Sequence, residues 1–241
     1  MKKGFLMLFI GIIVSSCLHD EEEVSVLEGS YKLPSTLYVG KVQMFTSKGV
    51  VTDEAKIKEF LTRKPKLDLP DNTAYFSFDA SSVPIGDGNY LDITFTSNKA
   101  AVHTNLMLGE ISIDSPYNAD IFKISNLIVV SKNVSGLNVP ISTDRFISDF
   151  FETDKITKIK TESHGVKPYP TYQPGRINLA LIEQNGEIIL PYFTYFHGSY
   201  TNRNYYAKSS YNILNPDYLT HLPASDTIVV QEGWAIMQKK Q

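Results

Sequence analysis

A single cysteine, Cys17, stands in a chain of 241 residues, so no disulfide can form within it. The five histidines, His19, His103, His164, His197 and His221, are nowhere paired at metal-ligand spacing, and neither H-E-x-x-H nor a cysteine cluster occurs. The G-x-S-x-G elbow of serine hydrolases is missing too, although a triad assembled in space would carry no such signature. "IGDGNYLD" offers Asp87, Asn89 and Asp92 but lacks the full D-x-[DN]-x-[DN]-G series and the distal Glu of a calcium loop, so it reads as a turn. Asn133-Val134-Ser135 matches a glycosylation sequon and reads as a loop. No cofactor motif is present, and the cofactor expectation is none. Basic residues number 23 against 26 acids. That leaves no surplus to neutralise phosphates, and nucleic acid is excluded as an expected partner. Beyond Cys17 no apolar run approaches the about 20 residues of a spanning helix.

What is present begins at the N-terminus. Met1-Lys2-Lys3 is a short basic start, Gly4 to Val14 is an uncharged apolar run, and Ser15, Ser16 and Cys17 are small. Charge, then grease, then small residues is the order of a secretory signal, and the run is too short to span a bilayer. Val14-Ser15-Ser16-Cys17 resembles the bacterial lipobox: an aliphatic residue, two small ones, then Cys. The resemblance implies cleavage before Cys17, a diacylglyceryl group on its sulfur and an acyl chain on its amine, with the lipid bilayer as partner. Several chains make a durable anchor where one does not, at about 0.8 kcal/mol per buried methylene. Leu18 stands where an Asp would retain the protein in the inner membrane. His19-Asp20-Glu21-Glu22-Glu23 resembles the acidic tether of Bacteroidota lipoproteins sent to the surface of the outer membrane, with His where Lys or Gln is common. The same run also reads as a solvated, self-repelling linker. Residues 1–16 are thus expected to be signal, 17–28 lipidated cysteine and tether, and 29–241 one β-rich domain. Cleavage removes Lys2 and Lys3, leaving 21 basic and 26 acidic residues and a formal charge of −5.

The remainder is written in strand vocabulary. "VSVLEGSYKLPSTLYVGKVQMFTSKG" is rich in Val, Tyr, Leu and Thr punctuated by Gly and Pro. Its Gly29-Ser30-Tyr31-Lys32-Leu33 resembles the opening strand of small lipocalin-like barrels. "VTDEAKIKEFLTRKP" predicts a helix: Thr52 or Asp53 can cap it, Ile57, Phe60 and Leu61 share a face, and Pro65 stops it. From Thr73 to Val130, "TAYFSFD", "YLDITFTSN", "KAAVHTNLML", "EISI" and "IFKISNLIVV" predict closely spaced strands without a βαβ rhythm. "STDRFISDFFETDK" suits a second short helix. "RINLALIEQNGEIILPYFTYFHG" predicts a hairpin, because Asn185-Gly186 accepts the positive φ angles of a type I′ turn, with Pro191 at a bulge or edge. "YYAKSSYNI" and "DTIVVQEGWAIMQKK" are further strands, the last of them closing the sheet. The fold class expected is mainly β: an antiparallel lipocalin-like barrel or a β-sandwich with one or two short helices.

Nine of the 14 tyrosines fall between Tyr169 and Tyr218. On a strand, Tyr192 and Phe196 would face one side, Phe193 and Tyr195 the other. Both sides are then aromatic, and the expectation is that one is core while the other meets solvent, a pocket or a partner. The candidate recognition residues are Tyr192, Tyr195, Tyr200, Arg203, Tyr205 and Tyr211. Rings beside amides and a guanidinium suit a sugar or another flat ligand; equally, tyrosine is a good strand residue. The expectation is a surface-exposed outer-membrane lipoprotein that binds a glycan, a small hydrophobic ligand or a partner protein without catalysis. The alternatives are an accessory subunit of an envelope complex or, last, a glycan hydrolase.

Overall fold

The computed structural model describes residues 27–65, 67, 71–106, 116–140, 172–199, 204–211, 213, 214, 219, 222 and 224–241. Fourteen strands form a single antiparallel sheet: β1 (Leu27–Lys32), β2 (Thr36–Val39), β3 (Gln43–Thr46), β4 (Gly49–Val51), β5 (Ser82–Pro84), β6 (Leu91–Ser97), β7 (Lys99–Thr104), β8 (Tyr117–Ile124), β9 (Leu127–Pro140), β10 (Tyr172–Gln184), β11 (Glu187–Ser199), β12 (Asn204–Ser210), β13 (Asp226–Ile236) and β14 (Gln238–Lys239). The mainly β class is as expected. β1 begins inside the stretch assigned to the tether. The lipobox, the acidic run, "EISI" and the second helix lie outside the described residues.

Neighbouring strands follow the path β14-β1-β6-β7-β8-β9-β10-β11-β13-β2-β5. β13 and β14 are one chain segment interrupted at Met237, so the path returns to where it started. Tyr31 pairs with Lys239 and Lys32 with Gln238, and the Lys240 N–H donates to the Ser30 carbonyl at 2.7 Å. β2 and β3 continue along β13, with Tyr38 opposite Trp234 and Thr46 opposite Thr227. The sheet is not fully closed, which fits an open barrel or a sandwich, and its last strands bring the two ends of the path together.

Among the described residues, two-residue loops join four hairpins. One is Ser47-Lys48; the other three are Ser97-Asn98, Ser125-Asn126 and Asn185-Gly186. The first residues of these three sit at φ 54, 54 and 53°, and Gly186 at 79°, as a type I′ turn at Asn185-Gly186 requires. "IFKISNLIVV" is therefore not one strand: it folds back at Ser125-Asn126 into β8 and β9. "TAYFSFD" is corrected as well. Residues Asn72–Tyr75 make a 3-10 turn capped by Asp71.

The concave face is filled. Leu91, Ile93, Val102, Ile128, Val130, Leu179, Leu181, Ile188, Leu190 and Ala235 are almost wholly buried in one cluster fed by β1, β2, β6 to β11 and β13. A second cluster lies under the helix α1 (Glu54–Thr62), capped by Asp53, whose carboxylate accepts the Lys56 N–H at 3.2 Å. Ile57 and Leu61 of α1 bury completely with Phe76, Phe196 and Val229. Two buried amides tie the covering segments down. Asn72 donates to the Leu61 and Pro65 carbonyls, each at 3.0 Å, which satisfies a carbonyl in the last turn of α1. Gln231 donates to the Gly40 and Ser77 carbonyls at 2.8 and 2.7 Å and accepts the Ser77 N–H at 2.8 Å.

Candidate functional site

β11 changes partners midway. Its first residues pair with β10 up to Ile189, and from Phe193 onward the same edge pairs with β12. Pro191 falls between the two ladders, where a missing N–H breaks no pairing on that side. β13 runs along the other edge throughout, Ile189 to Ser199.

This arrangement puts the candidate tyrosines in place. Tyr192 and Tyr211, both half-buried, pack on the concave core with ring centroids 5.1 Å apart. The Tyr192 and Thr194 hydroxyls are 2.8 Å apart, and Thr194 is 2.8 Å from the Ser209 hydroxyl. Burial, and secondly the neighbouring Tyr192, push the Tyr211 phenol up to about 12, so it stays neutral at physiological pH. Tyr192 and Tyr205 also share a structural task. Tyr192 lies directly opposite Gly233 and Tyr205 opposite Gly198. A Cβ on either glycine would meet the facing ring, at 3.4 Å and 3.3 Å respectively. Each ring covers the backbone its glycine leaves bare, as aromatic residues do across strands. Tyr205 and Phe60 also flank Phe196 under α1.

Tyr192 and Phe196 do face one side, and Phe193 and Tyr195 the other. The expectation that one of these faces meets solvent is corrected. Phe193, Tyr195 and Phe196 all have 0% exposure, because Leu214 and Leu219 cover the convex face at Phe193 and Tyr195, together with Ile228 and Val230. Tyr195 is part of the buried core. Tyr200, Arg203 and Cys17 lie outside the described residues.

The convex face carries what the sequence reading missed. Glu232 and Trp234 are two apart on β13 and so point the same way. Trp234 stands opposite Tyr38 on β2 and Pro191 on β11, and Glu232 opposite Phe193. Tyr38 and Trp234 stack with centroids 5.9 Å apart and planes 20° off parallel, and Tyr38 is 41% exposed. Burial raises the Glu232 carboxyl above the usual carboxylate range. Among the described residues no basic side chain pairs with it. The alternation of Ile228, Val230 and Glu232 in "DTIVVQEGWAIMQKK" was the available signal: an acid on an otherwise apolar face.

Other polar clusters are quieter. His197 Nε2 lies 3.1 Å from Asp226, whose second oxygen accepts the Ser225 hydroxyl at 3.0 Å. The carboxylate thus sits between histidine and serine, whereas activating the serine would need the histidine in the middle. An open cleft of about 450 Å³ on β7 to β9 includes Lys99, Asp120, Ser131 and Lys132, and the Lys99–Asp120 ion pair spans it. Among the described residues no group of three His, Cys, Asp or Glu could hold a metal, and no helix is long and apolar enough to cross a membrane. No family model, curated protein or solved structure matches the chain.

Proposed function

We propose that this chain is a lipid-anchored protein of the bacterial outer-membrane surface that binds a partner protein through the outside of its barrel and performs no catalysis. The anchor rests on the lipobox-like Val14-Ser15-Ser16-Cys17 and the acidic run after it. One observation carries the mode of binding: apolar side chains fill the concave face where a lipocalin would hold its ligand, while a stacked Tyr–Trp pair stands on the convex face. Tyrosine and tryptophan dominate the energetics of protein interfaces, and a pair with Tyr38 exposed and Trp234 half-buried on a sheet face suits a flat contact better than an enclosed ligand.

The test has two arms. Replacing Cys17 by Ser should shift the protein out of the detergent phase; unchanged partitioning would remove the anchor. In cells, a photo-crosslinking residue at position 38 should yield a defined adduct with an envelope protein, whereas the same residue at position 99, exposed on β7, should not. No adduct from position 38, or equal adducts from both, would defeat the reading.

A further inference from the structure

The convex face combines an indole, a phenol and a carboxylate lacking a described ionic partner. Adjacent same-face positions on a strand are about 6.7 Å apart, which sets the Glu232 and Trp234 Cα atoms at that spacing. A cation bound to the carboxylate at about 2.8 Å can therefore lie within about 6 Å of the indole, the range of a cation–π contact. The Tyr38 ring extends the aromatic wall away from Glu232. The mature chain is acidic overall, at −5 by formal charge, so the long-range field also draws a cationic partner.

A guanidinium fits these groups better than an ammonium does. It is planar, stacks on aromatic faces, is weakly hydrated and can meet a carboxylate through two N–H donors at once. We propose that Glu232, Trp234 and Tyr38 form a socket for an arginine side chain presented by the partner protein. This deepens the exterior-binding reading and rests on it. The arginine supplies Glu232 with a countercharge that offsets the hydration lost on burial, and the rings cover the apolar flank of the guanidinium.

Trp234 is the only tryptophan in the chain, so 5-fluorotryptophan labelling of the intact protein in detergent gives a single fluorine resonance at the socket. The probes are n-butylguanidinium, its neutral isostere n-butylurea, and n-butylammonium. At pH 7.5, n-butylguanidinium should displace the resonance saturably, and n-butylurea should not. Glu232→Gln should weaken the guanidinium at least fivefold, and Tyr38→Ala should weaken it to a lesser degree. Equal displacement by the urea, an unchanged Glu232→Gln variant, or n-butylammonium binding as well as the guanidinium would each overturn the arginine assignment. A position-38 adduct in cells alongside such a result would leave exterior binding standing and remove only the socket. Loss of both would remove the reading beneath it.

Discussion

Gly233→Ala puts the sharpest demand on the described packing. A Cβ built on Gly233 would lie 2.5 Å from the Tyr38 carbonyl oxygen, and 3.4 Å from both Tyr192 Cδ1 and Val39 Cγ1. The closest of these atoms belongs to backbone, so no side-chain rotation relieves it. β2 and β13 must part by roughly 0.5 Å or more. That strains the ladder at Gly233–Val39 and Trp234–Tyr38 and the neighbouring Gly40 N–H to Glu232 carbonyl bond of 2.8 Å. Overpacking of this kind costs about 1 to 3 kcal/mol. Against it stands the gain of about 0.4 to 1 kcal/mol that Gly→Ala gives by restricting the unfolded chain. A net loss of about 1 to 2 kcal/mol should lower Tm by roughly 2 to 8 °C in a folded body of this size. Gly86→Ala is the control: its nearest neighbour is the mobile end of Asn89 at 3.3 Å, and its Tm should hardly move. Thermal melts followed by far-UV circular dichroism compare the two. If Gly233→Ala melts with Gly86→Ala, the close approach of β2 to β13 is not as described.

Further outcomes follow from other elements. Gly186→Val places a β-branched residue at φ 79° and should cost about 1 to 3 kcal/mol, read as a lower urea midpoint; an unchanged midpoint would contradict the type I′ turn. Tyr195→Ala empties a fully buried site and should cost about 3 to 5 kcal/mol, whereas Tyr38→Ala, at an exposed position, should leave Tm within a few degrees; the reverse order would invert the assignment of core and surface. Glu232 has a folded-state pKa raised by burial, so its contribution to stability is fully present below its unfolded pKa and is lost as pH rises through the folded value. Glu232→Gln should therefore melt above the wild type at pH 7.5 and converge with it near pH 4; a gap that stays constant with pH would refute a buried carboxyl.

Local signals carried the parts of this fold that local chemistry decides. The cap at Asp53 and the spacing of Ile57 and Leu61 marked α1, and Asn-Gly marked the sharpest hairpin. The same chemistry misled where one dipeptide stood in two contexts. Ser97-Asn98 is bracketed by the polar Thr96 and Lys99, so the strand stretches "YLDITFTSN" and "KAAVHTNLML" stand apart. Ser125-Asn126 turns at the same φ but lies between apolar runs, which blend into one apparent strand. "TAYFSFD" alternates like a strand, yet the Asp71 cap and the packing of Phe76 beneath α1 take it into a 3-10 turn. The alternation at residues 192–196 gave the faces correctly. What periodicity could not reveal was the second cover: Leu214 and Leu219 come from a segment with no regular pattern. The Tyr38–Trp234 pair joins residues far apart in the chain, and no window short enough to be periodic contains both.

The ladder from β1, β2 and β3 to β14 and β13 joins the first described strands to the last. A chain made from the N-terminus must therefore carry β1 to β3 without their final neighbour until residues 226–239 exist. At about 5 to 20 residues per second, the stretch between Thr46 and Thr227 takes roughly 10 to 40 s to synthesise. During that interval Leu37, Val39 and Met44 have no β13 to lie beside, and the strand edges that β13 will occupy are open. Such edges attract other strands, and long-range pairing of this kind folds slowly. The sheet is thus a fold whose seam is sewn last, and premature termination anywhere before β13 leaves an unfinished edge rather than a smaller domain.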